Sequence, residues 1–190
     1  IGTLNLTQKS QANIGENVSI TTLNLTQSNA NLELLNGQIP KTINLNTQSN
    51  LYLNELNLND FDKNGLNLMS DENSQAHIKK LIYDATNAQT NGANKTPQSN
   101  LIVSEKFELK NVGQNLSTTQ GAPSTPNVEK DLLTLEFSKN LELKNGTKLD
   151  ISFADKVTKN NENLLFNQNY TIFTAGSLIY GDNLDIRLNL

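Results

Sequence analysis

Cysteine and tryptophan are absent from the 190 residues, and histidine, methionine and arginine occur once each, as His77, Met69 and Arg187. Without cysteine there is no disulfide framework, thiol nucleophile, zinc ribbon or iron–sulfur cluster. A single imidazole excludes a metal centre built from several histidines. Fifteen basic against 19 acidic side chains, a net charge of −4 and a pI near 5.0 leave no basic footprint for a nucleic acid. No run of about 18 apolar residues occurs, so no helical membrane span is expected. Ile1 opens directly into patterned sequence, without a charged leader or cleavage site, so a signal peptide is expected to be absent or already removed. Aromatics are only 5 % and the mean hydropathy is −0.49. Leu, Ile, Val and Phe nevertheless exceed the level, about 20 %, below which chains tend to stay disordered. The length suits one domain or a piece of a longer one, with a core built mainly from leucine.

What the chain has in abundance is asparagine, 32 residues of it, much of it flanked by leucine. The pattern recurs at a fixed period. Thr3-Leu4-Asn5-Leu6-Thr7-Gln8 returns nineteen residues later as Thr22-Leu23-Asn24-Leu25-Thr26-Gln27, and after twenty more as Thr42-Ile43-Asn44-Leu45-Asn46-Thr47-Gln48. A second register reads Asn13-Ile14, Asn31-Leu32, Asn50-Leu51, and a third Ile20, Ile39, Leu58. Apolar and polar residues alternate within each segment, the signature of a strand with one buried face. A unit of 19–20 residues holding two or three short strands cannot bury its apolar side alone; stacking successive units can. The fold expected is all-β, a right-handed parallel β-helix (solenoid). Leu4, Leu23 and Ile43 then form one internal column, Leu6, Leu25 and Leu45 a second, and Ile20, Ile39 and Leu58 a third. Asn5, Asn24 and Asn44 line up in a possible amide ladder. The rival architecture is a leucine-rich repeat, suggested by Leu53, Leu56 and Leu58 and by residues 35–40, but the rest of each unit alternates instead of reading as a helix.

Two loop or helical insertions are expected in one β-helix unit covering 1–190. Regular rungs occupy 1–69. Residues 70–100 form an insertion, with helical spacing of Ala76, Ile78, Leu81, Ile82 and Ala85 after Ser74 as N-cap, followed by a polar stretch over 86–100. Strand returns over 101–110, a Gly/Pro-bearing loop covers 111–131, and C-terminal rungs fill 132–190. Within that last part strands are expected at 132–137, 141–143, 149–153, 170–173 and 184–188, with Asn145-Gly146 as a tight turn. About seven rungs fit the chain. The last strand still alternates at the chain end, as expected of a fragment of a longer solenoid.

Residues 167–181, with Tyr170-Thr171-Ile172-Phe173-Thr174-Ala175-Gly176 leading to Tyr180-Gly181, resemble a segment near the C-terminal end of autotransporter passenger domains. Preceded by Asn145-Gly146-Thr147-Lys148-Leu149-Asp150-Ile151-Ser152-Phe153, the stretch is similar to the vacuolating-cytotoxin-like group, as is the style of the Asn-rich upstream repeats. The resemblance implies late β-helix rungs in which Ala175-Gly176 is a small turn. It implies a secreted or surface-displayed passenger of a Gram-negative bacterium, continuing into further β-helix and an outer-membrane barrel. The function it implies is that of an adhesin, colonisation factor or toxin-like host-interaction scaffold, with no catalytic residue, no cofactor and an unidentified host receptor or glycan as partner. Contact is expected through 71–100 and 111–131. The alternatives are a polysaccharide-active β-helix of the lyase or glycosidase kind and a leucine-rich-repeat-type binding module.

Among chemical motifs, Asp60-Phe61-Asp62-Lys63-Asn64-Gly65 with Asp71 follows the spacing of a calcium loop, with oxygens at positions 1, 3 and 5, glycine at 6 and an acid at 12. Asp60, Asp62, Asn64 and Asp71 are therefore candidate metal ligands; the competing reading is a simple turn between strands. His77 beside Asp71 or Asp84 would be a candidate general base, but no nucleophile motif accompanies it. Glu33, Glu55, Glu136, Glu142 and Asp150 are scattered, while Asp150 and Asp185 share a Leu-Asp-Ile context and could stack. Seven Asn-x-Ser/Thr sequons occur where this composition gives roughly five by chance, so they carry little information about glycosylation.

Overall fold

The computed structural model describes residues 2–33, 39–87, 94–114, 135–155 and 171–189. Within them the protein is mostly β, and its strands form parallel sheets. One sheet contains β1 (Thr3–Leu6), β3 (Thr22–Thr26), β5 (Thr42–Asn46) and β7 (Asn67–Ser70) in that order. Its register sets Leu4 beside Leu23, Ile43 and Leu68, and Leu6 beside Leu25 and Leu45, as the repeat predicts. Leu23, Leu25, Ile43 and Leu45 are fully buried. Burial of such a side chain is worth about 1.5–3 kcal/mol.

The second sheet is seven levels deep. Its successive levels are β2 (Gln11–Asn13), β4 (Asn29–Asn31), β6 (Asn50–Asn57), β8 (Gln75–Asp84), β9 (Asn100–Val112), then β10 (Glu136–Leu143) with β11 (Lys148–Phe153), and finally β12 (Thr174–Tyr180) with β13 (Asp185–Asn189). Side chains from both sheets join one apolar cluster. From β6 onward the inward residues step by two, then by more, then by two: Leu51, Leu53, Leu56, Leu58; Ala76, Ile78, Leu81, Tyr83; Leu101, Val103, Phe107, Leu109. The wider step is a corner where two or three side chains face out, as at Asn54-Glu55 and Ser104-Glu105. Between β10 and β11 the corner becomes a turn. The Thr147 N–H donates to Lys144 O at 3.0 Å, and Gly146 takes the left-handed φ of +82°. Asn145-Gly146 is thus a turn, but both flanking strands run parallel to β9, so it forms a corner and not a hairpin.

This geometry corrects several expectations. Residues 76–84 form most of β8 and not a helix, because the three-residue corner step from Ile78 to Leu81 imitates helical spacing; only Ala85 is helical, opening the short 3₁₀ turn Ala85–Asn87. The stretch after it is not a free loop throughout: Met69 bridges to Gln98 and Asn94 to Leu135, and Ser99 and Asn100 are buried. The second register slips by two at its third copy, since Asn13 and Asn31 align with Tyr52, making Leu53 the partner of Leu32. Leu58 does not stack on Ile20 and Ile39; its N–H donates to Ile82 O at 2.8 Å at the far end of β6. Ala175 and Gly176 lie inside β12 and not in a turn, and strand begins at Thr174, after Ile172 and Phe173. Phe173 instead packs on Phe107 and Phe137, with ring centroids at 5.3 and 6.2 Å. Most of the 111–131 loop, the start of the 132–137 strand and Tyr170 lie outside the described residues.

Between the two sheets the chain turns through residues with positive φ that are not glycine: Gln8 and Lys9, Gln27, and Thr47 with Gln48. Each such conformation costs about 1–2 kcal/mol. Two of these residues also donate backbone hydrogen bonds to the next level, Lys9 to Gln27 O at 2.7 Å and Gln27 to Asn46 O at 3.2 Å. Each turn delivers a serine, and Ser28, Ser49, Ser74 and Ser99 are all buried. Ser49 Oγ accepts the Ser28 N–H at 3.2 Å and donates to Asn46 O, while the Ser49 N–H donates to Ser74 Oγ at 3.0 Å. A hydroxyl suits this place because it can satisfy a turn carbonyl and a neighbouring amide at once.

Candidate functional site

The concavity of interest lies beside the short helix α1 (Asn59–Lys63). Leu58 ends the buried run of β6, and Asn59 locks the helix start to β8: its Nδ2 donates to Asp84 O at 2.9 Å and its Oδ1 accepts the Asp84 N–H at 2.8 Å. The helix stops at Asn64, whose N–H donates to Asp60 O, and Gly65 with φ +64° turns the chain into β7. The pocket left between α1 and the segments entering β3 and β5 has a volume of about 670 Å³. Ile20, Ile39 and Leu66 give it an apolar floor, and Thr21, Lys41, Asp60, Lys63 and Asn64 a polar rim. Such a space admits a small polar ligand.

Of the four candidate calcium ligands, only Asp60 and Asn64 meet, Asn64 Nδ2 donating to Asp60 Oδ1 at 2.7 Å. Asp62 accepts the Lys95 N–H at 3.2 Å. Asp71 lies beyond β7, whose four residues carry the chain about 13 Å at about 3.3 Å each. There its carboxylate accepts the backbone N–H groups of Thr47 and Asn73. Burial works against its charge, but the hydrogen bonds from Thr47, Ser74 and Asn73 outweigh it and hold Asp71 below the ordinary carboxylate value. A helical turn followed by a strand does not aim positions 1, 3, 5 and 12 at one point. Among the described residues no group of three or more His, Cys, Asp or Glu side chains is arranged to hold a metal.

His77 sits on the outward side of β8, stacked on Tyr52 of the preceding level with ring centroids 4.7 Å apart, and its Nε2 is 3.2 Å from Asn50 Oδ1. Burial, then the nearby Lys144, lowers its pKa against the pull of Glu142. Asp84, the suggested acidic partner, is at the other end of the strand, past the corner between Ile78 and Leu81. There it accepts from Thr86 N–H and Asn111 Nδ2, both at 2.9 Å. The structure does not bring an acid–base pair together here.

Of the scattered acids, Glu33 and Asp150 are held in ion pairs along the sheet face. Glu33 meets Lys79 at 3.3 Å. Lys106 Nζ lies 2.9 Å from Asp150 and 3.2 Å from Glu108, whose other oxygen is 3.5 Å from Lys110. The Asp150 and Glu108 hydrogen bonds raise the Lys106 pKa. Asp150 and Asp185 do not stack: the register sets Asp150 beside Arg187 and Asp185 beside Lys148. Glu108 and Asp150 are cross-strand neighbours, but one ammonium bridges them, a structural ion ladder and not a free acid–base pair.

Three roles of polar residues were not foreseen: the serine column, the Asn59 clamp, and Asn100, whose Nδ2 donates to Asp71 O, Glu72 O and Ser74 O at 3.0–3.2 Å. The serine column has a sequence signal, Ser-[Asn/Gln]-[Ala/Leu], at 10–12, 28–30, 49–51, 74–76 and 99–101. No family model, curated protein or solved structure matches the chain. Among the described residues no helix is long and apolar enough to cross a membrane.

Proposed function

We propose that the chain is a stretch of right-handed parallel β-helix from the passenger of a bacterial autotransporter, secreted or displayed at the cell surface, and that it acts as a non-enzymatic host-contact scaffold. The observation that carries this reading is the in-register parallel pairing of equivalent strands from successive units, with leucines of two sheets filling one interior. Two parallel strands in each early unit support it over a leucine-rich repeat, whose return is helical. Asp60, Asp62 and Asp150 are engaged in a turn, a backbone contact and an ion pair, which supports a binding role over a polysaccharide-active one. Resemblance of residues 167–181 to late passenger rungs supplies the export route, and the pocket beside α1 is the concavity this scaffold offers to a small polar group on a partner.

The test uses cells producing the native full-length protein. Antibody raised against the folded chain should label unpermeabilised cells, and external protease should remove that label. Labelling that requires permeabilisation overturns the display reading. A crystal structure in which the two sheets are joined other than by successive right-handed turns overturns the architecture.

A further inference from the structure

Several lysines of this chain are held by partners: Lys79 by Glu33, Lys106 by Asp150 and Glu108, Lys110 by Glu108, and Lys139 through its Nζ, which donates to Ser70 O at 2.7 Å. Lys41 and Lys63, which both line the pocket beside α1, are different. They are exposed, and among the described residues neither has an ion pair or a side-chain hydrogen bond. Asp60, the acid in the same lining, pairs with neither of them; its Oδ1 accepts Asn64 Nδ2 at 2.7 Å. Asp62, the other acid of α1, lies outside the lining and accepts the Lys95 N–H. The pocket wall thus carries two cations against one anion, in a chain whose net charge is −4. A hollow lined by unpaired charge of one sign concentrates ligands of the other.

The shape of the hollow narrows the class of anion. The Thr42 N–H donates to Thr21 O at 3.1 Å and the Asn67 N–H to Lys41 O at 2.8 Å. Thr21, Lys41 and Leu66 therefore stand on three successive levels about 4.8 Å apart, and the wall is about 10 Å tall. Lys41 belongs to the middle level, and Lys63 closes α1, which leads into the next. A volume of about 670 Å³ is far more than an inorganic anion fills and suits a small organic ligand. Ile20, Ile39 and Leu66 offer an apolar floor, the surface that the C–H face of a pyranose ring covers. Asp60 Oδ2 and the Thr21 hydroxyl, without side-chain partners among the described residues, are placed to meet ring hydroxyls. We propose that this pocket binds an acidic sugar, a pyranose whose carboxylate is held by Lys41 and Lys63 and whose ring lies on the apolar floor. A neutral sugar would leave both lysines unpaired, and a bare phosphate would leave the floor uncovered. The inference deepens the host-contact reading and rests on it for the source of the sugar. Binding by the purified chain and display on the cell are measured separately, so either can fail alone.

The probes are methyl glucuronide and N-acetylneuraminic acid, which carry the carboxylate at different ring carbons, with methyl glucoside and inorganic phosphate as controls. Each is titrated into the isotope-labelled full chain while the amide NMR spectrum is followed. At least one acidic sugar should saturably shift the amides of residues 19–21, 41 and 63–66. The glucoside and phosphate should bind at least about ten-fold more weakly. Lys41→Gln and Lys63→Ala should each weaken the acidic sugar about ten-fold, the worth of one charge-assisted hydrogen bond. The dispersion of each variant's spectrum reports its fold, and if one variant misfolds the other decides. No saturable shift with either acidic sugar, shifts confined to other residues, equal binding of the glucoside or of phosphate, or unchanged affinity in the folded lysine variants would each overturn the proposal. A failed titration beside positive surface labelling removes the sugar site and leaves the scaffold reading standing.

Discussion

Asn24 Nδ2 donates to Asn5 Oδ1 and Asn44 Nδ2 to Asn24 Oδ1, both at 2.7 Å, so three amides pass hydrogen bonds up one column of the first sheet. The ladder ends abruptly: Asn44 Oδ1 is buried without a partner, and the residue registered beside Asn44 is Met69. A buried acceptor left unpaired costs about 1–3 kcal/mol, and a satisfied one contributes about 0.5–1.5 kcal/mol. Met69→Asn should therefore raise stability by about 1 kcal/mol, read as a higher denaturant midpoint at unchanged slope, with Met69→Leu giving no gain. A lower midpoint for Met69→Asn would show that the ladder does not propagate. The aligned asparagines were legible from the nineteen-residue period alone. The broken end was not, because nothing local marks Met69 as the occupant of an asparagine position.

Within single elements, the glycines of β12 and its exit show how closely successive levels approach. A Cβ on Gly176 would lie 3.0 Å from Ser138 O, where the register between β10 and β12 shifts. On Gly181 it would meet Asn145 Cα at 2.6 Å and Asn145 N at 2.7 Å, backbone that cannot swing away. Gly181→Ala is expected to cost about 1–3 kcal/mol by forcing the two corners apart. Gly15→Ala, where an added Cβ meets nothing within 4 Å, should be close to neutral. Equal thermal shifts for the two variants would contradict the close approach. At this scale the sequence misled where strands bend. Ala76, Ile78, Leu81 and Ala85 all point into the core, but the corner between Ile78 and Leu81 converts period 2 into a spacing that a helix also satisfies. The recurrent Ser-[Asn/Gln]-[Ala/Leu] triplet at 74–76 would have identified the strand, since the same triplet precedes β4 and β6.

For the whole molecule, acid sensitivity should come in two stages. His77 has its pKa depressed below 6.5, chiefly by burial. The unfolded chain then takes up that proton at a higher pH than the folded one, so stability is complete above about pH 6.5 and falls as pH drops toward the folded value. Asp71 and Asp84 have pKa values depressed below 3.8 even though burial opposes it, because hydrogen bonds to the charged forms prevail. Their contribution is present above about pH 4 and is lost as pH falls through their folded values. Urea midpoints should thus decline between pH 7 and 5, and again below about pH 4. His77→Gln should flatten the first decline and leave the second. An unchanged first decline in that variant would mean that another group titrates there.

The sequence by itself determined the alternation, the period near twenty and the leucine columns Leu4–Leu23–Ile43 and Leu6–Leu25–Leu45, because equivalent residues stacked in parallel must be chemically alike to share one interior. Only the tertiary structure decided how the strands of the later, 25-residue units bend at their corners, and that Asp71 is carried away from Asp60. Those features depend on how many side chains turn outward at a corner. That number is set by packing against the level below, which no single segment of sequence contains.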